Sequence, residues 1–376
     1  MSQTASVEQN VSERYAEGAN ERQEALCCPV DYDKSLLAIL PQEIIERDYG
    51  CGDPSRYVRE GDVVVDLGSG GGKICYMAAQ LVGNTGRVIG VDMTDEMLAL
   101  ARRHQADMAE KLGGDRVEFK KGYIQDLALS VEALEERLTS VPVTSPEQLN
   151  QLEAWKKQQR AENPMIKNDS ATLVISNCVL NLVDKNDRQQ MIEEIYRVLK
   201  PGGRVAISDI ICDEVVPQSL QNDPTLWSGC ISGAFGEEEF LQAFLDAGFV
   251  AAGYDKWDDE PWQVVEGIEF RSVTLLATKP SKNNLYDAGQ AVLYKGPYSK
   301  VHDDLGNAYP RGQRIAVSHR TFELIKDGPY AKDFVCMVPA EENNFGCFCL
   351  PSATVRSAAD TKGGKQFGTG SSEACC

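Results

Sequence analysis

The chain has 376 residues and a formal net charge of −19 at neutral pH, with 25% charged and 42% hydrophobic residues. That is long enough for a full core and a second domain, and too acidic for a nucleic-acid footprint, which needs clustered basic side chains. No stretch approaches 18 apolar residues and the N-terminus lacks an apolar signal core, so neither a membrane span nor secretion is predicted. Twelve cysteines in a chain predicted to be cytoplasmic point to free, catalytic or ligand thiols, not to a disulfide framework.

In chain order, Gln9 to Leu26 reads as a polar, amphipathic helix ending at Cys27-Cys28-Pro29, where proline restricts further helix. Residues 33–48 carry an apolar helical face (Leu36, Leu37, Leu40, Ile44) interrupted by Pro41. The loop Asp48-Tyr49-Gly50-Cys51-Gly52-Asp53-Pro54 follows, marked by its glycines and proline. Val63 to Leu67 then runs into Gly68-Ser69-Gly70-Gly71-Gly72, a buried parallel strand turning sharply into a helix. Such a unit brings bare backbone and a helix N-terminus against a ligand. The dinucleotide fingerprint fails here, because Lys73 stands where its third glycine should be. Asp66 before the turn and Gly68, Gly70 and Gly72 after it instead resemble motif I of the class I S-adenosylmethionine methyltransferases.

Arg87 to Val91 is predicted as a second strand, closed by Asp92 and Met93. Asp92 lies 26 residues beyond Asp66, where this architecture holds the ribose hydroxyls of an adenosine ligand; Met93 would lie against the adenine. A helix from Thr94 to Leu112, with Thr94 as N-cap, leads to a third strand over 116–120 and the loop Gly122-Tyr123-Ile124-Gln125-Asp126. Leu127 to Asn168 is too long for a simple connection and reads as a solvated helical insertion. Thr172 to Ser176 is the fourth strand, ending at Asn177-Cys178. Asp187 to Leu199 is a helix capped by Asp187 and stopped by Pro201-Gly202-Gly203, and Arg204 to Ile210 is the fifth strand. This alternation implies a parallel sheet with crossover helices. Ligands then sit beyond the carboxyl ends of the strands, where Gly70, Asp92, Cys178 and Asp209 all fall.

Leu226 to Ala234, with Cys230, reads as a Gly-rich apolar loop; a helix over 237–247 and a strand over 271–278 complete the sheet. Residues 280–287 read as a linker, 288–350 as a small mixed domain, and the Gly-, Ser- and Lys-rich tail 351–376 as disordered. The predicted organisation is an N-terminal segment 1–55, a ligand-binding domain 56–280 with the insertion 127–168, the small domain and the tail.

Three cysteines in separate loops, Cys51, Cys178 and Cys230, carry the chemistry. Singly, each is accounted for as a small buried hydrophobe; together they could hold a soft, thiophilic centre. Zinc competes, yet none of the three has the near Cys partner usual in zinc sites. Here the resemblance becomes specific. Tyr49-Gly50-Cys51-Gly52, Asp66-Leu67-Gly68-Ser69-Gly70, Gly90-Val91-Asp92-Met93-Thr94, Gly122-Tyr123-Ile124, Ser176-Asn177-Cys178-Val179-Leu180-Asn181-Leu182, and Trp227 with Cys230 resemble the arsenite methyltransferases. The resemblance covers the chain to about Lys279.

It implies a Rossmann-like, doubly wound, mostly parallel α/β sheet followed by a small α+β domain, and methyl transfer from S-adenosylmethionine to thiol-bound trivalent arsenic. It implies that Tyr49, Asp66, Gly68, Ser69, Gly70, Gly72, Asp92, Met93, Ile124, Gln125 and Asn177 hold the cofactor. Cys51, Cys178 and Cys230 would ligate arsenic. Cys27 or Cys28 would pair with Cys51 in a redox step served by thioredoxin or glutathione in a cytoplasmic monomer. Departures from the family are the insertion and Gly229, where several relatives carry an acid. Two other readings are compatible with these residues. In an ordinary small-molecule methyltransferase, Cys178 and Cys230 would tolerate alanine. A thiol scavenger of soft metals, using Cys347, Cys349, Cys375 and Cys376, would not bind S-adenosylmethionine.

Overall fold

The computed structural model describes residues 7–21, 23, 30–281, 285–339 and 344–361; Cys27, Cys28, Cys375 and Cys376 lie outside them. The chain divides into two compact units between Lys279 and Pro280. Among the described residues no helix is long and apolar enough to cross a membrane.

The first unit is built on a nine-stranded sheet: β1 (Val63–Leu67), β2 (Arg87–Asp92), β3 (Val117–Lys121), β4 (Ala171–Asn177), β5 (Leu199–Cys212), β6 (Phe235–Gly236), β7 (Val250–Trp257), β8 (Gln263–Val265) and β9 (Ile268–Thr278). Its main path runs β3-β2-β1-β4-β5-β9-β7. The pairs from β3 to β5 are parallel, and β9 is antiparallel to both β5 and β7. Chain order reverses at β1/β4, the place where doubly wound sheets open a crevice for ligands.

Successive strand residues point to opposite faces, and β1 shows the consequence. Val64 joins a core with Ile74, Tyr76 and Leu100 from the helices Lys73–Leu81 and Asp95–Arg103. Val65 joins one with Ile192, Ile195, Phe240 and Phe244 from Arg188–Val198 and Glu237–Asp246. Both faces are covered, which explains the continuous apolar runs in these strands.

Several boundaries differ from expectation for local reasons. The predicted helix 94–112 is two helices, Asp95–Arg103 and Gln105–Leu112, broken at His104. Thr94 and Asp187 stand at N-cap positions but make no side-chain capping bond. Pro41 separates Lys34–Leu37 from Gln42–Glu46. Pro201-Gly202-Gly203 belongs to β5, with Gly202 at φ +82°. The loop before Cys230 contains a short helix, Pro224–Ser228, started by Asp223, whose carboxylate accepts from Thr225 and Leu226 N–H. The edge strand β7 had no counterpart in the sequence reading, because glycine, tyrosine and charges interrupt its alternation. In the insertion, Val131–Ser140 and Pro146–Glu162 begin at Ser130 and Ser145, whose hydroxyls accept from Ala133 and Gln148 N–H. The second of these helices has no buried residue, in keeping with a solvated insertion.

The second unit pairs β13 (Arg314–Ala316), β10 (Ala291–Tyr294) and β14 (Phe334–Met337) in one antiparallel sheet, and β11 (Lys300–His302) with β12 (Ala308–Pro310) in another. The helix His319–Asp327 packs Phe322 and Ile325 into a core with Val292, Tyr309 and Phe334. Two expectations are corrected here. Asp287 is buried and paired with Arg356 at 2.8 Å, so it belongs to this unit rather than to a linker. Residues 351–361 are ordered: Val355 bridges Ile315, and Arg314 donates to the Thr361 hydroxyl at 2.6 Å.

Candidate active site

Beyond the carboxyl ends of β1, β2 and β4 lies a cleft holding about 900 Å³ of empty space, its open mouth included. Tyr49, Asp66, Gly68, Ser69, Gly70, Asp92, Met93, Ile124, Gln125 and Asn177 all line it. The glycines play different parts. Gly68, at φ +68°, has no room for a Cβ, which would fall 2.5 Å from Val179 Cγ1. Gly70, at φ +51°, would aim a Cβ into the open cleft, its nearest neighbour being Met97 Sδ at 3.9 Å. Gly72 lies outside the lining. A Cβ there would strike Phe119 at 2.8 Å, so this glycine serves helix packing and starts Lys73–Leu81.

The Asp92 carboxylate accepts from the N–H groups of Gly70 and Thr94, each at 2.8 Å, which ties the end of β2 to the glycine loop. Burial raises its pKa. Ser69 Oγ is buried without a hydrogen-bond partner, a donor and acceptor left over for a ligand. Lys73 is paired with Asp48 at 2.8 Å and covers the Tyr32 ring.

Asp66 is fully enclosed, and the Cys75 thiol donates to it at 3.2 Å. Burial pushes its carboxyl up to about 7, from an ordinary 3.8. The folded state therefore holds this proton more tightly than the unfolded chain. The stability it contributes is complete below about pH 4 and is lost as pH rises towards 7. Between pH 5 and pH 7, Asp66→Asn should gain about 2–3 kcal/mol relative to the parent chain. Denaturant unfolding of the cofactor-free protein at both pH values measures this, and an unchanged difference would contradict it.

Three loops bring Cys51, Cys178 and Cys230 into one apolar cluster with Val11, Leu182, Ile210 and Phe270, of which Val11 and Leu182 also line the cleft. All three are buried. The Cys51 and Cys178 sulfurs and a carboxylate oxygen of Asp209 lie within 4.8 Å of one another. The Cys230 thiol donates to the Cys178 carbonyl at 3.4 Å. Cys178 and Cys230 both have left-handed backbone, φ +64° and +63°, at a cost of about 1–2 kcal/mol each. Cysteines that merely pack need no such conformation, and strain of this kind concentrates at functional sites.

Asp209 is fixed beside two of the thiols, those of Cys51 and Cys178. Its oxygens accept from Leu180 N, Ile210 N and Asn181 Nδ2 at 2.8–2.9 Å, and burial raises its carboxyl to about 6. Cys75 and Cys212 behave as ordinary core thiols. Burial drives both pKa values up, that of Cys212 to about 11.

One further element, not marked as part of the site by any sequence motif, packs on this cluster. Helix α1 (Val7–Asn20) lays Glu8, Val11 and Tyr15 over the cleft, while Val11 and Tyr15 also belong to the thiol cluster. Arg14 donates to the Thr225 carbonyl at 2.8 Å and to Ser228 Oγ at 2.5 Å, fastening α1 to the segment that leads to Cys230. Tyr15 meets Tyr49 edge-on at 6.1 Å, and the Tyr49 hydroxyl donates to the Gly18 carbonyl at 3.0 Å. The spacing of Val11, Tyr15 and Ala19, four residues apart on one helix face, was the available signal.

Residues 59–137 and 148–248 match the family described as Methyltransferase domain, and residues 281–366 match Domain of unknown function (DUF8838). An arsenite methyltransferase of Aquipseudomonas alcaligenes is 30% identical over 344 residues, covering 87% of this chain and 88% of that protein. The human arsenite methyltransferase is 30% identical over 331 residues, covering 84% and 78%. The crystal structure of an arsenic(III) S-adenosylmethionine methyltransferase from Chlamydomonas reinhardtii superposes with a TM-score of 0.53 at 28% identity, covering 86% of this chain and all of that one. Sheet order, the glycine loop with its cleft, and likeness along most of its length agree, and the chain belongs to the arsenite methyltransferase family of class I, S-adenosylmethionine-dependent enzymes.

Proposed function

We propose that the chain methylates trivalent arsenic, held as a thiolate complex by Cys51, Cys178 and Cys230, and so serves arsenic detoxification. One observation carries the reading: three buried cysteines from three loops fall in one apolar cluster, packed against the same helix that lines the cofactor cleft. Arsenite would exchange its three hydroxyl groups for three thiolates, releasing three waters and leaving a lone pair on arsenic.

S-adenosylmethionine, when bound, supplies an electrophilic methyl group. Gly68 and Gly70 would hold it by close backbone approach, Asp92 by its ribose hydroxyls, and Ser69, Met93, Ile124 and Gln125 by the remaining cleft wall. The chain's main contribution is orientation, which can account for most of such a rate enhancement. Val11, Tyr15 and Leu182 exclude water from the acceptor, and the left-handed backbone of Cys178 and Cys230 aims the two thiols.

Each methyl transfer formally oxidises arsenic by two electrons, and a dithiol can return them by becoming a disulfide. Cys27 or Cys28 with Cys51 would do so, regenerated by thioredoxin or glutathione in the cytoplasm, with the enzyme acting as a monomer.

Incubating the purified chain with arsenite, S-adenosylmethionine and a thiol should yield methylated arsenicals together with S-adenosylhomocysteine. S-adenosylhomocysteine formation that does not depend on arsenite would overturn this reading.

A further inference from the structure

We propose that Asn177 is a positioning residue for arsenite: its amide fixes the Cys51 loop at the distance from Cys178 that three-thiolate binding requires. The proposal rests on the reading of Cys51, Cys178 and Cys230 as the arsenic ligands.

Asn177 is the last residue of β4 and precedes Cys178. Although it borders the cofactor cleft, its amide is spent elsewhere. The carbonyl oxygen accepts from the N–H groups of both Cys51 and Gly52, each at 3.0 Å. The NH₂ group donates to the Gly52 carbonyl at 2.9 Å and to the Tyr32 hydroxyl at 3.2 Å. One side chain thus clasps the Cys51 backbone from the strand end that carries Cys178.

The loop is also closely fitted on either side of Cys51. A Cβ on Gly50 would fall 2.1 Å from Asn177 Nδ2, and one on Gly52 would fall 2.3 Å from Ser208 Oγ. Opposite the amide, Ser272 Oγ donates to the Cys51 carbonyl at 2.6 Å and Lys256 Nζ at 3.3 Å. Cys51 lies in a segment without helix or strand, so these bonds and contacts, not a regular ladder, place its sulfur beside that of Cys178. Only a carboxamide offers an acceptor for two N–H groups together with donors for a carbonyl and a hydroxyl. A carboxylate would lose both donors, and serine would not reach.

The consequence is selective. Arsenite needs all three thiols at once, whereas trivalent methylarsenic, already bearing one carbon bond, needs two, and Cys178 and Cys230 suffice. Loosening the Cys51 loop should therefore penalise arsenite more than methylarsenic.

The experiment uses the full chain as Asn177→Ser and, separately, as Gly50→Ala. The second keeps every hydrogen-bonding group while crowding the same contact, and so reads the same spacing should the first fail to fold. X-ray absorption on the arsenite complex counts arsenic–sulfur bonds, and kcat and KM are measured for both substrates. The parent chain should show three sulfurs and the variants two. The variants' kcat/KM for arsenite should fall by about tenfold or more beyond any fall for methylarsenic. Three sulfurs in both variants, or equal losses on both substrates, would overturn the positioning role. Fewer than three sulfurs in the parent chain would instead overturn the three-thiolate site on which the proposal rests.

Discussion

Cys51→Ser should lose methylation of arsenite yet keep much of the methylation of trivalent methylarsenic, whereas Cys178→Ser and Cys230→Ser should lose both. Arsenite offers three exchangeable oxygens and methylarsenic two, and serine is a poor ligand for a soft centre. Loss of an outer-shell partner at a metal site typically costs about 10–100-fold, so loss of a direct ligand should exceed that. The structure adds a reason for the asymmetry. Cys178 and Cys230 are joined by a thiol-to-carbonyl hydrogen bond and share the left-handed conformation, while Cys51 joins the cluster from a separate loop held by hydrogen bonds to Asn177 and Ser272. Cys27→Ser combined with Cys28→Ser should behave as Cys51→Ser if these residues serve the redox step of the first methylation. Each variant is supplied with either substrate and excess thiol, and the methylated products are quantified. Normal arsenite turnover by Cys51→Ser would exclude the three-thiolate site. Turnover of methylarsenic by Cys178→Ser would exclude the placement of arsenic.

Gly70→Val should abolish S-adenosylmethionine binding while the protein still folds. A Cβ at Gly70 meets no atom beyond its chain neighbours closer than 3.9 Å and Gly70 lines the cleft, so the added bulk is directed against the ligand. The left-handed φ of +51° adds a folding cost of about 1–2 kcal/mol, a fall in Tm of roughly 2–8 °C. Asp92→Ala should weaken binding without abolishing it. One charge-assisted hydrogen-bonding group is worth about 1.5–3 kcal/mol, or about 10–150-fold in Kd. Gly72→Ala is the contrasting change: its Cβ would collide with Phe119 inside the protein, so it should lower stability before affinity. Calorimetric titration with thermal melts separates the three, and unchanged affinity in Gly70→Val would mean that the cofactor lies elsewhere.

Much of this was legible along the chain because the rules involved are local. An apolar run, a glycine turn and an acid at the next strand end define β1, its loop and Asp92 within thirty residues of sequence, and the order of strands and helices follows from their alternation. The second unit's existence was legible too, but not its extent. The composition of 351–376 predicted disorder, whereas Arg356 finds Asp287 and Thr361 finds Arg314 across long sequence separations. Composition does not report such pairings.

The sequence by itself determined which groups are available: three cysteines in three loops, a glycine-lined strand end, an acid where a ribose would be held. Their types and order are covalent facts, and secondary structure grows from them by short-range sterics and burial period. Only the tertiary structure decided where those groups meet. Asp209 stands beside two thiols because β4 and β5 are neighbours in the sheet; α1 covers the cluster because Arg14 finds Thr225, 211 residues along the chain. Asn177 turns its amide to Cys51, 126 residues away, because the doubly wound topology brings that loop to the end of β4. A hydrogen bond between distant residues leaves no periodicity in either segment, so chemistry of this kind becomes visible only once the chain has folded back on itself.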